Sequence, residues 1–384
     1  MSISKKVHIV VAGQFPPPIG GQNINIKRIF DLLSSQKDME VSHLKFEFTK
    51  SWRTNRKVGG DKVVELFRVF VRLLCIRKKG GIDFLLYPVG GPHTVPLIRD
   101  WILLPILSLF SKRIAVHFQA AGLYERMNRS PIWFTEITKF IYRKCATEAF
   151  VLSDYGKIDA IAAGFDEIHI LPNAYEDIAG STLTRSKGSE VSILNVGHLC
   201  QDKGTPYLIE AFGKIANSYP EVKLNLVGEV LAPYSEEQMY ADIKKSGAAN
   251  QISWKGVLKG EALNLAYEES DLFIFSSLAP YESFGMVLIE AMHWSLPVIV
   301  TDWRANVSVC GEGFGGLVVS EPEKNFSGKL EWAIKSAIEQ QSMWVEWGEK
   351  NRQIYIEKYT VRKLVDNLRA VSYTHLTLPT IYSV

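Results

Sequence analysis

Twice along this chain a short apolar run ends at a glycine, passes through a loop and gives way to a helical repeat. The first run, Val7–Val11, leads to Gly13 and the loop Gln14-Phe-Pro-Pro-Pro-Ile-Gly20-Gly21-Gln22. The second, Val191–Val196, leads to Gly197-His198-Leu-Cys-Gln-Asp-Lys203-Gly204. Strand, glycine turn, helix is how a doubly wound α/β domain begins, because parallel strands need a crossover between them. Three prolines in a row fix φ and supply no N–H, so the first loop is neither strand nor helix interior. Beyond it Ile24, Ile26, Ile29, Phe30 and Leu33 fall at helical spacing.

The cycle repeats after each start. Strand-like runs appear at Phe84–Tyr87, Ile114–Phe118, Ala149–Leu152 and Ile168–Leu171. In the second half they appear at Leu224–Val227, Ile252–Trp254, Leu272–Phe275, Pro297–Val300 and Gly316–Val319. Between the halves, Asp177–Glu190 is polar, rich in Gly, Ser and Thr, and has no periodic apolar face, which reads as a linker. The expected organisation is α/β, with two Rossmann-like domains facing a cleft, residues 1–176 and 191–343. A helical tract, 344–370, is expected to cross back toward the first domain. The stretch 371–384 contains VSYTHLTLPT and resembles a translated sequencing adapter, so it is expected to be a non-native tail.

At 384 residues the chain is long enough for two such domains, and 47% hydrophobic against 22% charged residues excludes disorder as the main state. Charge is uneven. Residues 1–175 hold 25 Lys and Arg against 15 Asp and Glu; the remainder holds 19 against 26. A basic front half points to an anionic partner. Cys75, Cys145, Cys200 and Cys310 have no metal-site or disulfide spacing. The longest apolar stretch, Trp101–Phe110, contains Pro105 and is far shorter than the ~20 residues of a span. With no signal-peptide pattern, a cytoplasmic location is expected.

Two places carry chemistry. Lys203 sits in a strand–helix loop, where a basic side chain and free amides at a helix N-terminus make an anion site. Glu282 and Glu290 flank Phe284-Gly285-Met286 in the run YESFGMVLIEAM. If a helix starts near Gly285, its amides face a ligand, and Glu290 lies further along it. A carboxylate can accept two hydroxyl protons of a diol.

These segments together carry a resemblance. VGHLCQDKGTPYLIEAF, KLNLVGE, ISWKGVL, DLFIFSSLAPYESFGMVLIEAMHWSLPVIVTD and GGLVV match, in order and spacing, the nucleotide-sugar domain of the retaining glycosyltransferases of family 4, the group 1 glycosyltransferases of GT-B fold. GQFPPPIGG and FVLSDYGKIDAIAAGFDEIHILPNAYE resemble the family's double-glycine loop and domain-junction segment. The resemblance implies a hexose transfer from a nucleoside diphosphate sugar to a glycan or lipid-linked acceptor, in surface-polysaccharide or lipid-linked glycan assembly. No cofactor or metal is implied beyond that donor, and no Asp-x-Asp is present. Lys203 would grip the diphosphate, Glu290 the ribose, and Glu282 would lie beside the transferring sugar. Amides at Phe284, Gly285 and Met286, His198, and the loop glycines Gly20 and Gly21 would complete the donor contacts.

The chain departs from the family at His198, where arginine is usual, and at Ala174, where glycine is usual. These departures motivate an alternative, a non-catalytic sugar-nucleotide-binding subunit of the same fold. The family often has a histidine after the fourth strand. Here His117 and Gln119 alternate onto one side of a strand, and either could face the cleft. His117 is carried as a catalytic candidate, Gln119 and Asn173 as acceptor-side candidates.

Finally, Lys50–Lys79 holds ten basic and two acidic residues. Val63, Val64, Phe67, Phe70, Val71 and Leu74 repeat at helical spacing within it. Such a stripe is expected chiefly to pack on the first sheet, and the cationic rim suits a peripheral contact with an anionic membrane surface. No nucleic-acid motif accompanies the tract, and no nucleic-acid partner is expected.

Overall fold

The computed structural model describes residues 6–17, 21–48, 60–178 and 190–374. Gly20, residues 50–59 of the basic tract, most of the expected linker (179–189) and residues 375–384 lie outside them. The chain forms two compact units: residues up to Asn173 together with the stretch from Leu364, and Ala174–Lys363.

The first unit runs β1 (Val7–Gly13), α1 (Gly21–Ser34), β2 (Met39–Lys45), α2 (Gly60–Lys79), β3 (Phe84–Pro88), α3 (Thr94–Ser108), β4 (Ile114–Phe118), α4 (Leu123–Asn128), α5 (Ile132–Cys145), β5 (Glu148–Val151), α6 (Lys157–Ala162) and β6 (Ile168–Ile170). Its six strands are parallel in the order β2-β1-β3-β4-β5-β6, with Val7 to Gly13 paired in register with Met39 to Lys45. Every residue of β3, β4 and β5 is buried. Helices cover both faces of such a sheet, which explains why these strands read as unbroken apolar runs.

The structure corrects the reading of α2. Val63, Val64, Phe67, Val71 and Leu74, expected against the sheet, are exposed. The packed side is Val69, Leu73 and Ile76, with Leu66 against them. Glu65 lies on that side too, 2% exposed, where it accepts from the Glu47 amide (2.9 Å) and the Arg72 guanidinium (2.7 Å). A helix this apolar has two candidate faces, and the buried ion pair lets the one bearing a carboxylate turn inward.

The second unit runs β7 (Val191–Val196), α7 (Thr205–Ala216), β8 (Val222–Val227), α8 (Glu236–Lys245), β9 (Ile252–Trp254), α9 (Glu261–Glu268), β10 (Leu272–Phe275), α10 (Met286–His293), β11 (Val298–Thr301), α11 (Asn306–Cys310), β12 (Gly316–Val319), α12 (Phe326–Glu339) and α13 (Trp344–Lys358). The strand order is β12-β11-β10-β7-β8-β9, again all parallel. Counted from its own first strand this is 3-2-1-4-5-6, the dinucleotide-fold order. Fully buried Asn351 of α13 ties this helix to the sheet edge, donating to Leu296 O (2.7 Å) and Gly315 O (2.8 Å).

The helical tract expected in one piece is two helices. After α13 the chain turns at Tyr359, whose hydroxyl donates to Val309 O (2.7 Å). Helix α14 (Val361–Thr374) then enters the first unit, where Arg369 donates to Gln36.

In sheets of this kind ligands bind beyond the carboxyl ends of the strands, where the strand order reverses. The reversal lies between β1 and β3 in the first unit, and between β7 and β10 in the second.

Candidate functional site

The loops leaving β7 and β10 carry Lys203 and Glu282, so both predicted residues stand at the reversal point of the second unit. A short 3-10 turn, Gln201–Lys203, follows β7 and ends at Gly204 in the left-handed conformation, φ +76°. A Cβ on Gly204 would stand 2.2 Å from Ser276 O, so only glycine lets the loops approach this closely. Ser276 Oγ donates to Lys203 O (3.0 Å) and the Leu278 amide to Asp202 O (2.8 Å).

On this stitched base Lys203 and Glu282 meet as an ion pair at Glu282 Oε2. The same oxygen accepts from Ser277 Oγ at 2.8 Å. Ser277 is itself held, its carbonyl accepting from Thr301 Oγ1 (2.7 Å) and Asn306 Nδ2 (3.2 Å). The Lys203 side chain is 26% exposed and that of Glu282 11%, so the pair is largely withdrawn from water yet reachable by a ligand. Lys203 Nζ also lies 5.5 Å from the centre of the Phe275 ring.

Helix α10 starts next. Its cap, Gly285, is left-handed (φ +73°) and has no side chain to cap the first turn. The leading amides of any helix lack intrahelical acceptors. Those of α10, at Met286 and its neighbours, are therefore available to an anion or hydroxyl. Phe284 is buried and packs edge-on to Tyr359 (5.6 Å), which anchors the loop from behind. Glu290 stands four residues beyond Met286, on the same helix face. It is oriented by Tyr267 of α9, whose hydroxyl donates to Glu290 Oε2 at 2.9 Å. Burial, and then the Glu290 charge, push the Tyr267 pKa well up, so the phenol remains a donor.

His198 lies near the ion pair. Burial lowers its pKa, and the Lys203 ammonium lowers it further against the pull of Glu229 and Glu282. It is neutral near pH 7 and supplies no second cation. Ala174 has negative φ, so its position needs no glycine.

In the first unit, Gly21 opens α1, and Gly20 lies outside the described residues. His117 of β4 and Gln119, one residue past the end of that strand, touch, Gln119 Nε2 to His117 Nδ1 at 3.0 Å. His117 is fully buried and Gln119 only partly, so a solute meets Gln119 first. Burial lowers the His117 pKa to about 4, leaving the ring neutral. Asn173 is buried at the end of the unit. Among the described residues, Glu148, Glu167 and His169 cluster closely enough to share a cation, but Arg113 already holds Glu148 at 2.6 Å.

Sequence reasoning missed Ser277 and Tyr267. Ser277 stands just past β10, a place the strand pattern marks. Tyr267 carries no local signal, since only packing brings α9 to α10.

The sequence profile of the group 1 glycosyl transferases matches residues 184–353, which contain this whole constellation. The second unit of the chain is thus similar to that family across most of its length. The chain is 31% identical over 179 residues to mannosylfructose-phosphate synthase of Agrobacterium fabrum, 42% of this chain and 38% of that protein. The chain spans less than half the length of the first curated relatives it matches. Sucrose-phosphate synthase of Thermosynechococcus elongatus superposes with TM-score 0.72, covering 97% of this chain and 99% of that one at 16% identity. Anabaena HepE in complex with UDP gives 0.69 over 96% and 100%, at 15% identity. These likenesses establish the fold, α/β of GT-B type. Among the described residues no helix is long and apolar enough to cross a membrane.

Proposed function

We propose that this chain transfers a hexose-type sugar from a nucleoside diphosphate sugar to an acceptor hydroxyl, with retention at the anomeric carbon and without a metal ion. The observation that carries the proposal is the Lys203–Glu282 pair at the head of α10, at the reversal point of the second sheet. The diphosphate departs with one more negative charge than it carried in the donor. An ammonium and fixed amides stabilise that charge best when already in place, because nothing then reorganises during bond breaking. A bound diphosphate competes with Glu282 for the Lys203 ammonium. As the pair loosens, Glu282 is left to accept hydroxyls of the transferring sugar. Glu290, held by Tyr267, takes the ribose diol. The HepE complex with UDP supports a uridine nucleotide as the first donor class to try.

The acceptor is proposed to be a glycan or lipid-linked hydroxyl in polysaccharide assembly. Its binding at an anionic membrane from the cytoplasmic side is supported by the exposed apolar side of α2 and the basic excess of the first unit. The neutral state of His198 favours one rival reading, a binding subunit without turnover. Release of nucleotide from a panel of nucleotide sugars decides: turnover lost in Lys203→Ala supports the enzyme. Binding without turnover, whatever acceptor is offered, supports the subunit.

A further inference from the structure

The reversal point of the first unit holds a site of different chemistry. Between the start of α1, α2 and the β3–α3 turn lies a cavity of about 270 Å³ with mainly apolar walls, among them Phe48, Val63, Leu66, Val95, Ile98 and Ile102. It opens where the exposed apolar side of α2 begins: Val63, a wall residue, is 64% exposed, and Phe67 one turn on is 68% exposed. Ile98 and Ile102 of α3 are likewise both walls and exposed surface. An apolar face of this extent, continuous with a cavity, exceeds the single exposed side chains normal on a soluble surface.

The charged side chains lining it are cations, Arg99 carrying its counter-ion in Asp100. Lys62 lines the cavity, and so does Arg99. The Arg99 guanidinium is clasped by Phe48 and Tyr87 (both 5.7 Å) and by Phe46 (6.0 Å). It also bonds Asp100 (2.8 Å), which fixes it in place. Arg68 and Arg77 flank the exposed side of α2, while Glu65, the acid whose side chain is described on that helix, is turned inward and paired. Asp100 also receives the Gly90 amide (2.6 Å) and the Tyr87 and Tyr142 hydroxyls, so the β3–α3 turn is rigid. A Cβ on Gly90 would strike Pro96 at 2.4 Å, which keeps this wall closely packed.

We infer that this cavity receives the hydrocarbon segment beside the phosphate of an anionic amphiphile, the lipid part of a lipid-linked acceptor. The inference rests on the proposed glycosyl transfer for the meaning of "acceptor", but its binding chemistry is separate. The chain lies against Val63, Ile98 and Ile102, and the phosphate stays at the mouth near Lys62 and the Arg99 edge. A cavity binding mode requires both an apolar chain and a negative head.

The test is calorimetric titration of the full chain with decyl phosphate below its micelle concentration. Decyl phosphate is expected to bind at least tenfold more tightly than decyltrimethylammonium, with inorganic phosphate giving no heat. Ile102→Trp, which fills the cavity, and Val63→Asp, at the exposed mouth where folding is not at stake, are each expected to weaken binding tenfold or more. Equal affinity for the two head groups, or full affinity in both variants, overturns the inference. Flotation with phosphatidylglycerol–phosphatidylcholine vesicles that survives in Ile102→Trp and fails in Phe67→Asp, without decyl phosphate binding, also overturns it in favour of bilayer docking by α2. Donor hydrolysis measured in the same samples separates the two readings: loss of amphiphile binding with donor turnover intact strikes this inference alone.

Discussion

The two units share a fold plan and differ at the one place where that plan builds sites. Each is a six-stranded parallel sheet with one reversal in strand order. In the second unit the loops at the reversal are stitched by polar bonds and present an ammonium, a carboxylate and open amides. In the first, the corresponding place is walled by aliphatic and aromatic groups with a guanidinium at its edge. The sheet fixes where a ligand can lie, since helices cover the rest of its surface. Side chains on a few loop residues then decide whether that place suits a diphosphate or a hydrocarbon chain. Difference between the units is therefore local chemistry on common geometry, and it can be broken from either side.

The largest effect is expected at the polar end. Lys203→Ala should lower donor turnover by about 10²–10³-fold, the range seen when one preorganised donor to a developing anion is lost. Decyl phosphate binding in the first unit should be untouched; parallel losses in both would mean general unfolding and spoil the comparison. Next comes Gly204→Ala. With φ at +76° and Ser276 O in the way, the second unit should lose about 2–3 kcal/mol in chemical denaturation. A variant as stable as the parent would show that the loops need not approach so closely.

Acid should act on both units. Burial lowers the pKa of His117 to about 4 in the first; in the second, burial and then Arg352 do the same for His293. Each ring is protonated in the unfolded chain below its ordinary value near 6.5 and stays neutral in the folded one. Folded stability is thus fully present above pH 6.5 and falls as pH drops toward 4, by up to ~1.4 kcal/mol per pH unit for each histidine. Denaturation series between pH 7 and 4 should show a shallower decline after His117→Gln. An unchanged slope would remove His117 from the account.

Smaller changes sharpen the donor side. Glu290→Gln should weaken nucleotide binding about tenfold, as expected for losing a charged hydrogen-bond acceptor. A normal affinity would remove the ribose assignment. His198→Arg places a second cation near Lys203, and should tighten binding of a nucleoside diphosphate a few-fold; weaker binding would show that His198 fills its place by shape.

Much of this was legible in advance. Strand, glycine, helix recurs with the period of an α/β cycle, and such a chain can bury its apolar runs only as sheets covered by helices. Lys203, Glu282 and Glu290 stood out because their types and spacing around glycines make sense as a ligand site. The face of α2 was misread, because Val63-Phe67-Val71 and Leu66-Val69-Leu73-Ile76 are equally good helical stripes. The choice between them turned on Glu65 meeting Arg72 and the Glu47 amide, a contact between elements.

Sequence by itself therefore determined the two α/β cycles, the position of each glycine turn and the residue types offered beyond each strand. Those follow from local backbone limits and hydrophobic period, which neighbours in the chain set. Only the tertiary structure decided that Lys203 and Glu282 pair across two loops, that Tyr267 holds Glu290, and that an apolar cavity opens beside Arg99. These depend on the order in which strands lie side by side, and strand order is settled by long-range packing that no short stretch of sequence encodes.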